Sequence, residues 1–134
     1  IFDNAARAFF AAEAMGVQER THDPVFKAMF IDKSIKGGSL DDFADLYASL
    51  GVNRAKFLGI MNSATVSAKL NRAKQFAQRT GINSTPTLIV NGKYRVTPKS
   101  HEAGLQIADY LIARELAAAP KPAAKPVAKP VAAK

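Results

Sequence analysis

The side chains that could do chemistry in this 134-residue chain are few and widely spaced. It contains no cysteine, which removes any disulfide, thiolate nucleophile or cysteine-based metal site within these residues and leaves the redox compartment open. His22 and His101 have no partner at metal-ligand spacing. Each stands beside a helix-start signal, Asp23-Pro24 or Ser100, and reads as a first-turn surface residue, so no metal site is expected. Asp41, Asp42 and Asp45 are the one acidic cluster, and the electrostatic preference of a helix N-terminus for carboxylates suffices to explain them. Lys69, Arg72, Lys74 and Arg79 flank an apolar stripe and read as its solvated face, with no phosphate motif and no interleaved aromatics on which bases could stack. What remains is a backbone site. In NSTPTLIVNGKYRV, Asn83 to Val96, the pair Thr85-Pro86 stands directly before an apolar run that Asn91-Gly92 closes.

Proline cannot donate a ladder hydrogen bond and is confined in sheets to an edge, a first residue or a bulge, which suits Pro86 at the mouth of a strand. The Thr85–Pro86 bond is trans in the commoner case. The cis form lies only about 0.5–1 kcal/mol higher for an X-Pro bond, and it would turn the chain sharply and aim the N–H and C=O of Thr85 at an external strand. The residues alone leave both states open.

The elements that must hold this pair follow from periodicity. Phe2, Ala5, Ala6, Phe9 and Ala12 predict a first helix that Gly16 stops in a left-handed cap. Asp23 as N-cap with Pro24 at the first helical position predicts a second, burying Val25, Phe26, Met29 and Phe30. Ser39 with Asp42 resembles a capping box ahead of Phe43, Leu46, Tyr47 and Leu50. Asn53 caps a short helix through Phe57, Leu58 and Ile60, and a longer one runs from about Ser63 to Thr80 on a stripe of Val66, Leu70, Ala73 and Ala77 that Gly81 closes. The period then changes to a hairpin, Thr87–Val90 and Tyr94–Val96, around Asn91-Gly92. Ser100 caps a last helix with Leu105, Ile107, Ala108, Leu111, Ile112 and Leu116 on a broad apolar face.

Leu88-Ile89-Val90 is apolar on both faces, a pattern of strands covered on two sides within a wider sheet. Two strands are marginal alone, so further strands are expected from residues outside this sequence or from a second chain. The start at Ile1, inside an apolar periodic pattern and without a charged leader, reads as that of a processed or excerpted chain. The closing AAAPKPAAKPVAKPVAAK has no large side chain to bury and is expected to be disordered. It also carries Lys121, Lys125, Lys129 and Lys134, half of the +8 net charge, leaving +4 over residues 1–120, an ordinary value. No apolar run approaches the roughly 20 residues that span a bilayer.

GINSTPTLIVNGKYRV closely resembles the cis-proline loop and following hairpin of DsbA-type thiol:disulfide oxidoreductases. AAEAMGVQERTHDPVFKAMFIDKSIKGGSLDDFADLYASLGV resembles the helical insertion of that family in helix order and in its Pro-x-Phe and Asp-Phe segments. The resemblance implies an α/β, thioredoxin-like fold with an inserted helical domain, dominated here by helices with one β-hairpin. It implies a helical domain over 1–80, the cis-Pro loop, hairpin and helix of the thioredoxin-like domain over 81–116, and the tail over 117–134. It also implies that the Cys-x-x-Cys segment precedes the position matching Ile1, so no catalytic residue lies in this chain and the chain alone is no enzyme. Pro86 would be the cis-proline, and Thr85 would offer its backbone to an extended substrate and a hydroxyl where many relatives carry valine. The implied parent is a periplasmic thiol:disulfide interchange protein, without cofactor, acting on extended or unfolded exported polypeptides and served by a membrane redox partner. The alternatives are a cysteine-free peptide-binding or chaperone-like module and, behind it, a basic nucleic-acid-binding helical protein.

Overall fold

The computed structural model describes residues 1–35 and 37–119. They form two compact units that divide after Gly81. The Ala/Lys/Pro tail lies outside the described residues from Pro120 onward.

The first unit is helical: α1 (Phe2–Ala14), α2 (Gln18–Phe26), a π-helical turn (Lys27–Ile31), α3 (Leu40–Ser49), α4 (Arg54–Met61) and α5 (Ala64–Thr80). Helix α1 is its centre and packs on α3, α4 and α5. The face it buries is Ala8, Ala11 and Ala12, against Phe43, Ala44, Tyr47, Phe57 and Met61. This differs from the expected stripe, since Phe2 is 73% exposed and Phe9 41%. Alanines let the helix axes approach closely, and the space so made is filled by aromatics from the other side, with Tyr47 and Phe57 stacked at 4.1 Å. Arg7 fixes the rotation of α1 by donating from Nη1 to the Met61 carbonyl and to Ser67 Oγ, both at 3.0 Å.

The helix starts are local chemistry. Ser39 Oγ accepts the Asp42 N–H at 3.1 Å and the Asp42 carboxylate accepts the Ser39 N–H at 2.9 Å, a complete capping box. Those bonds, the one from the Ser39 backbone foremost, hold the Asp42 carboxyl below its usual range. Asn53 Oδ1 accepts the Lys56 N–H and Ser63 Oγ the Val66 N–H. Gly16 and Gly81, both at φ 66, close α1 and α5 in the left-handed conformation that glycine adopts without a Cβ clash.

Two expectations fail here. Asp23-Pro24 does not start a helix: α2 begins at Gln18, and Pro24 sits inside it. Thr21, Val25 and Ala28 are buried at helical spacing, so packing overrides the local preference, and the ladder shifts to π-helical just after the proline, where the Asp32 N–H reaches back to the Lys27 carbonyl at 2.9 Å. The α5 stripe is also shorter than expected: Val66 and Leu70 are buried but Ala73 is exposed and Ala77 only half-buried.

The second unit, from Ile82 onward, pairs β1 (Leu88–Val90) antiparallel with β2 (Tyr94–Val96) and lays α6 (His101–Ala118) against them. The register is Leu88 to Val96, Ile89 to Arg95 and Val90 to Tyr94. Asn91 (φ 49) and Gly92 (φ 65) turn the chain, and the Lys93 N–H closes on the Val90 carbonyl at 3.0 Å. Val90, Val96 and Ala108 form the small core, with Tyr94 and Leu111 packed beside it. The broad apolar face expected of α6 is largely uncovered among the described residues: Leu105, Ile107, Ile112 and Leu116 are all exposed.

Phe57, fully buried against Tyr47, is expected to cost about 3–5 kcal/mol when replaced by alanine. Ser39→Ala is expected to cost about 1 kcal/mol through its cap, and the exposed Lys56→Ala less than about 0.5 kcal/mol. Urea unfolding followed by circular dichroism ranks the three, and a Phe57→Ala cost no larger than that of Ser39→Ala would contradict the packing described.

Candidate functional site

The loop that leads into β1 is exposed and borders a cavity. Thr85 and Pro86 are exposed, and the peptide bond between them is cis, the state the resemblance implied. Thr87 Oγ1 donates to the Ser84 carbonyl at 2.6 Å and ties the loop across the proline. Among the described residues no other backbone group pairs with Thr85.

The loop borders an open cavity of about 680 Å³ that continues across to the end of β2 and the start of α6, with Ser84, Thr85 and Pro86 on one wall and Arg95, Lys99 and His101 on the other. A second, apolar cavity of about 170 Å³ adjoins it through Pro86, Val96, Pro98 and His101 and is completed by Leu88, Gly104 and Leu105. Gly104 is needed there. A Cβ at that position would stand 2.9 Å from Cγ of Pro98, so glycine lets α6 approach the Pro98 segment closely.

Beyond the small core, one polar cluster ties the hairpin to α6. The Glu115 carboxylate, its side chain 14% exposed, accepts from Lys93 Nζ at 2.7 Å, from Asn91 Nδ2, and from the Tyr94 hydroxyl at 3.2 Å. Lys93 first and Asn91 second pull the Glu115 carboxyl down to about 2, and Glu115 in turn raises the Lys93 ammonium. The cluster bridges the hairpin turn and the last turns of α6. Arg114 adds its guanidinium 5.7 Å from the centre of the Tyr94 ring.

The remaining candidates from the sequence separate into structural roles. Asp42 is the cap described above, and Asp41 and Asp45 both pair with Arg54, holding α4 to α3. Lys69 pairs with Glu13 at 2.6 Å and lies over the Phe10 ring, while Lys74 pairs with Asp3. His22 is not a first-turn residue, because α2 starts earlier than expected: its ring lies 4.7 Å from that of Phe26 beside an apolar groove. His101 is the first residue of α6, after the Ser100 cap. Among the described residues no three potential metal ligands gather, and no helix is long and apolar enough to cross a membrane.

A profile of the DSBA-like thioredoxin domain matches residues 2–107. The chain belongs to that family. It is 36% identical over 124 residues to the thiol:disulfide interchange protein DsbA of Pseudomonas aeruginosa, covering 90% of this chain and 58% of that one. With the namesake of Pseudomonas syringae pv. tomato it shares 38% over 125 residues, 88% of this chain and 56% of the other. Among solved structures, Xylella fastidiosa DsbA superposes with a TM-score of 0.77 at 35% identity, over 83% of this chain and 60% of that one. Proteus mirabilis DsbA, solved with a non-covalently bound peptide, superposes at 0.70 with 23% identity, over 85% and 63%, and shows the shared fold. The chain thus spans rather more than half the length of the DsbA relatives it matches.

The thioredoxin-like fold dominated by helices, expected from the loop and helical motifs, is therefore the fold of this DSBA-like chain. Sequence reasoning singled out Thr85 and Pro86 and read His101 as a first-turn residue, which it is; Arg95 and Lys99, which line the same cavity, and Glu115 it did not single out.

The Glu115 cluster sets a pH dependence. Because its folded carboxyl is depressed to about 2 from an ordinary value of 4.5, its contribution is complete above the unfolded value and is lost as pH falls from there toward 2. Glu115→Gln is accordingly expected to lower the melting temperature at pH 7, with the gap to the parent shrinking below pH 4.5 and closing near pH 2. Thermal melts followed at Tyr94 or by hairpin amide exchange check this, and a gap of the same size at both extremes would be inconsistent with the cluster.

Proposed function

We propose that this chain is the substrate-holding portion of a periplasmic thiol:disulfide interchange protein that introduces or exchanges disulfides in exported polypeptides. Thr85 and Pro86 present an extended stretch of substrate with backbone partners, a form of strand addition. The observation that carries the reading is the continuity of the family match through an exposed Thr85-Pro86 loop bordering an open cavity. Exchange itself proceeds by attack of a thiolate on a disulfide sulfur. These 134 residues contain no cysteine, so the proposed chemistry draws its Cys-x-x-Cys pair from polypeptide outside them, reoxidised in turn by a membrane partner.

The same lack of cysteine favours a second reading, a peptide-binding or chaperone-like module that uses Thr85 and Pro86 without redox chemistry. The reading frame upstream of the Ile1 codon separates the two. A Cys-x-x-Cys a few tens of residues before Ile1 is the expected result, and a long upstream frame without one would leave only the binding module.

Peptide holding is testable on the chain directly. Thr85 replaced by a photoreactive phenylalanine analogue is expected to cross-link to a reduced, carboxymethylated polypeptide, whereas the same analogue at Lys56, on the other unit, is expected to cross-link far less. Equal yields at the two positions would remove the site assignment.

A further inference from the structure

The chain contains a single Asn-Gly pair, Asn91-Gly92, and it stands at the exposed turn of the hairpin. Asparagine followed by glycine is the pair most prone to lose its side-chain amide, because no side chain hinders the glycine nitrogen as it approaches the asparagine carbonyl. Nothing crowds Gly92 here: a Cβ built on it would meet no atom within 4 Å, and its N–H has no backbone partner among the described residues. The nucleophile is therefore open. The leaving group is held. Asn91 Nδ2, which must depart as ammonia, donates to the Glu115 carboxylate, whose side chain is only 14% exposed and which also accepts from Lys93 Nζ and the Tyr94 hydroxyl. With its carboxyl drawn down to about 2, Glu115 has no proton to give a departing nitrogen at neutral pH.

We propose that Asn91 is a deamidation site held shut by Glu115, and that its conversion to aspartate or isoaspartate loosens the hairpin from α6. The Gly92 nitrogen gives its proton to hydroxide and attacks Asn91 Cγ, forming a cyclic imide. The Cγ–Nδ2 bond breaks, and Nδ2 takes up a proton from water and leaves as ammonia. Water then opens the imide at either carbonyl, so the sum is one amide and one water exchanged for one carboxylate and one ammonium, with nothing oxidised or reduced. Because Nδ2 is the atom bound to Glu115, that hydrogen bond must break before product forms, and the fold slows the step. The product reverses the contact. A donor has become a second carboxylate facing Glu115, and the two like charges must share Lys93. Isoaspartate also lengthens the backbone at a turn that fits two left-handed residues, Asn91 at φ 49 and Gly92 at φ 65. Either product weakens the polar tie between hairpin and α6 and touches no residue of the helical unit.

The test incubates the full chain at mildly alkaline pH and follows the tryptic peptide Thr80–Lys93 by fragment mass spectrometry, since that peptide carries Asn83 as an internal control beside Asn91. Asn91 is expected to deamidate about tenfold or more slowly in the folded chain than in the same peptide free in solution. In Glu115→Gln, which keeps only a neutral acceptor, the Asn91 rate is expected to rise about threefold or more while that of Asn83 stays as it was. Equal Asn91 rates in chain and free peptide, or an Asn91 rate unmoved by Glu115→Gln, would overturn the hold. Asn83 accelerating by the same factor would mark general opening of the unit and count equally against it. The consequence of conversion is read separately, by thermal melts. Asn91→Asp is expected to lower the melting temperature of the hairpin unit, and Asn91→Asp with Glu115→Gln to recover part of that loss, because the glutamine amide can donate to the new carboxylate. A double variant no more stable than Asn91→Asp alone would overturn the charge conflict between positions 91 and 115. Hydrogen exchange on the aged chain is expected to show faster exchange at Val90 and Lys93 and no change at Phe43 and Phe57, and an unchanged hairpin would show that conversion does not loosen it.

Discussion

A two-stranded hairpin is marginal by itself in water, so the position of Thr85 and Pro86 depends on what holds β1 and β2 against α6. Two contacts do so, and they differ in kind. Val90 and Val96 close on Ala108 in a core of only a few side chains, which fixes the distance between hairpin and helix. The Glu115 carboxylate, gripped by Asn91, Lys93 and Tyr94, fixes the angle, because it reaches the hairpin from the far end of the helix. A hydrophobic contact is non-directional. The charge-assisted hydrogen bonds supply the direction. Both walls of the large cavity inherit their separation from this arrangement, since one wall follows α5 and enters β1 while the other leaves β2 and enters α6.

The helical unit is built on the opposite principle, with a large, closely packed interior and polar chemistry confined to its borders. Alanines on α1 admit aromatics from α3 and α4, and burial pushes the Tyr47 phenol upward while the neighbouring Thr21 hydroxyl opposes the shift. Of the acids and bases that drew attention in the sequence, Asp41 and Asp45 join α3 to Arg54 of α4, and Lys69 and Lys74 join α5 to Glu13 and Asp3 of α1. Such exposed pairs contribute little to stability individually. Their consequence for function is that the acidic cluster is already committed to a cation of its own unit.

What could be read in the sequence was what depends on neighbours in the chain. Ser39, Asn53, Ser63 and Ser100 each cap the helix that follows them, because a cap is a bond to a residue three positions away. Asn91-Gly92 makes its turn for the same reason, and the motif around Thr85-Pro86 was recognisable as an uninterrupted string. The readings that failed are those in which tertiary contacts decide. Asp23-Pro24 carries every local mark of a helix start, yet the burial of Thr21 and Val25 on one face runs the helix straight through it. Glu115 meets partners more than twenty positions away, and no local pattern marks an acid for that use. Likewise, the periodicity of α6 correctly predicts an apolar face but cannot say which part is covered, and most of it is exposed among the described residues.

In the proposed reading, holding a substrate and choosing it are separate tasks for separate atoms. Backbone pairing at Thr85 is blind to side-chain identity, since every residue except proline offers the same N–H and C=O, and this suits a protein that must accept many unfolded chains. Any preference must therefore come from side-chain surfaces beside the loop. Here those surfaces are unlike on the two sides of Pro86, cationic and hydroxylated on one, aliphatic on the other.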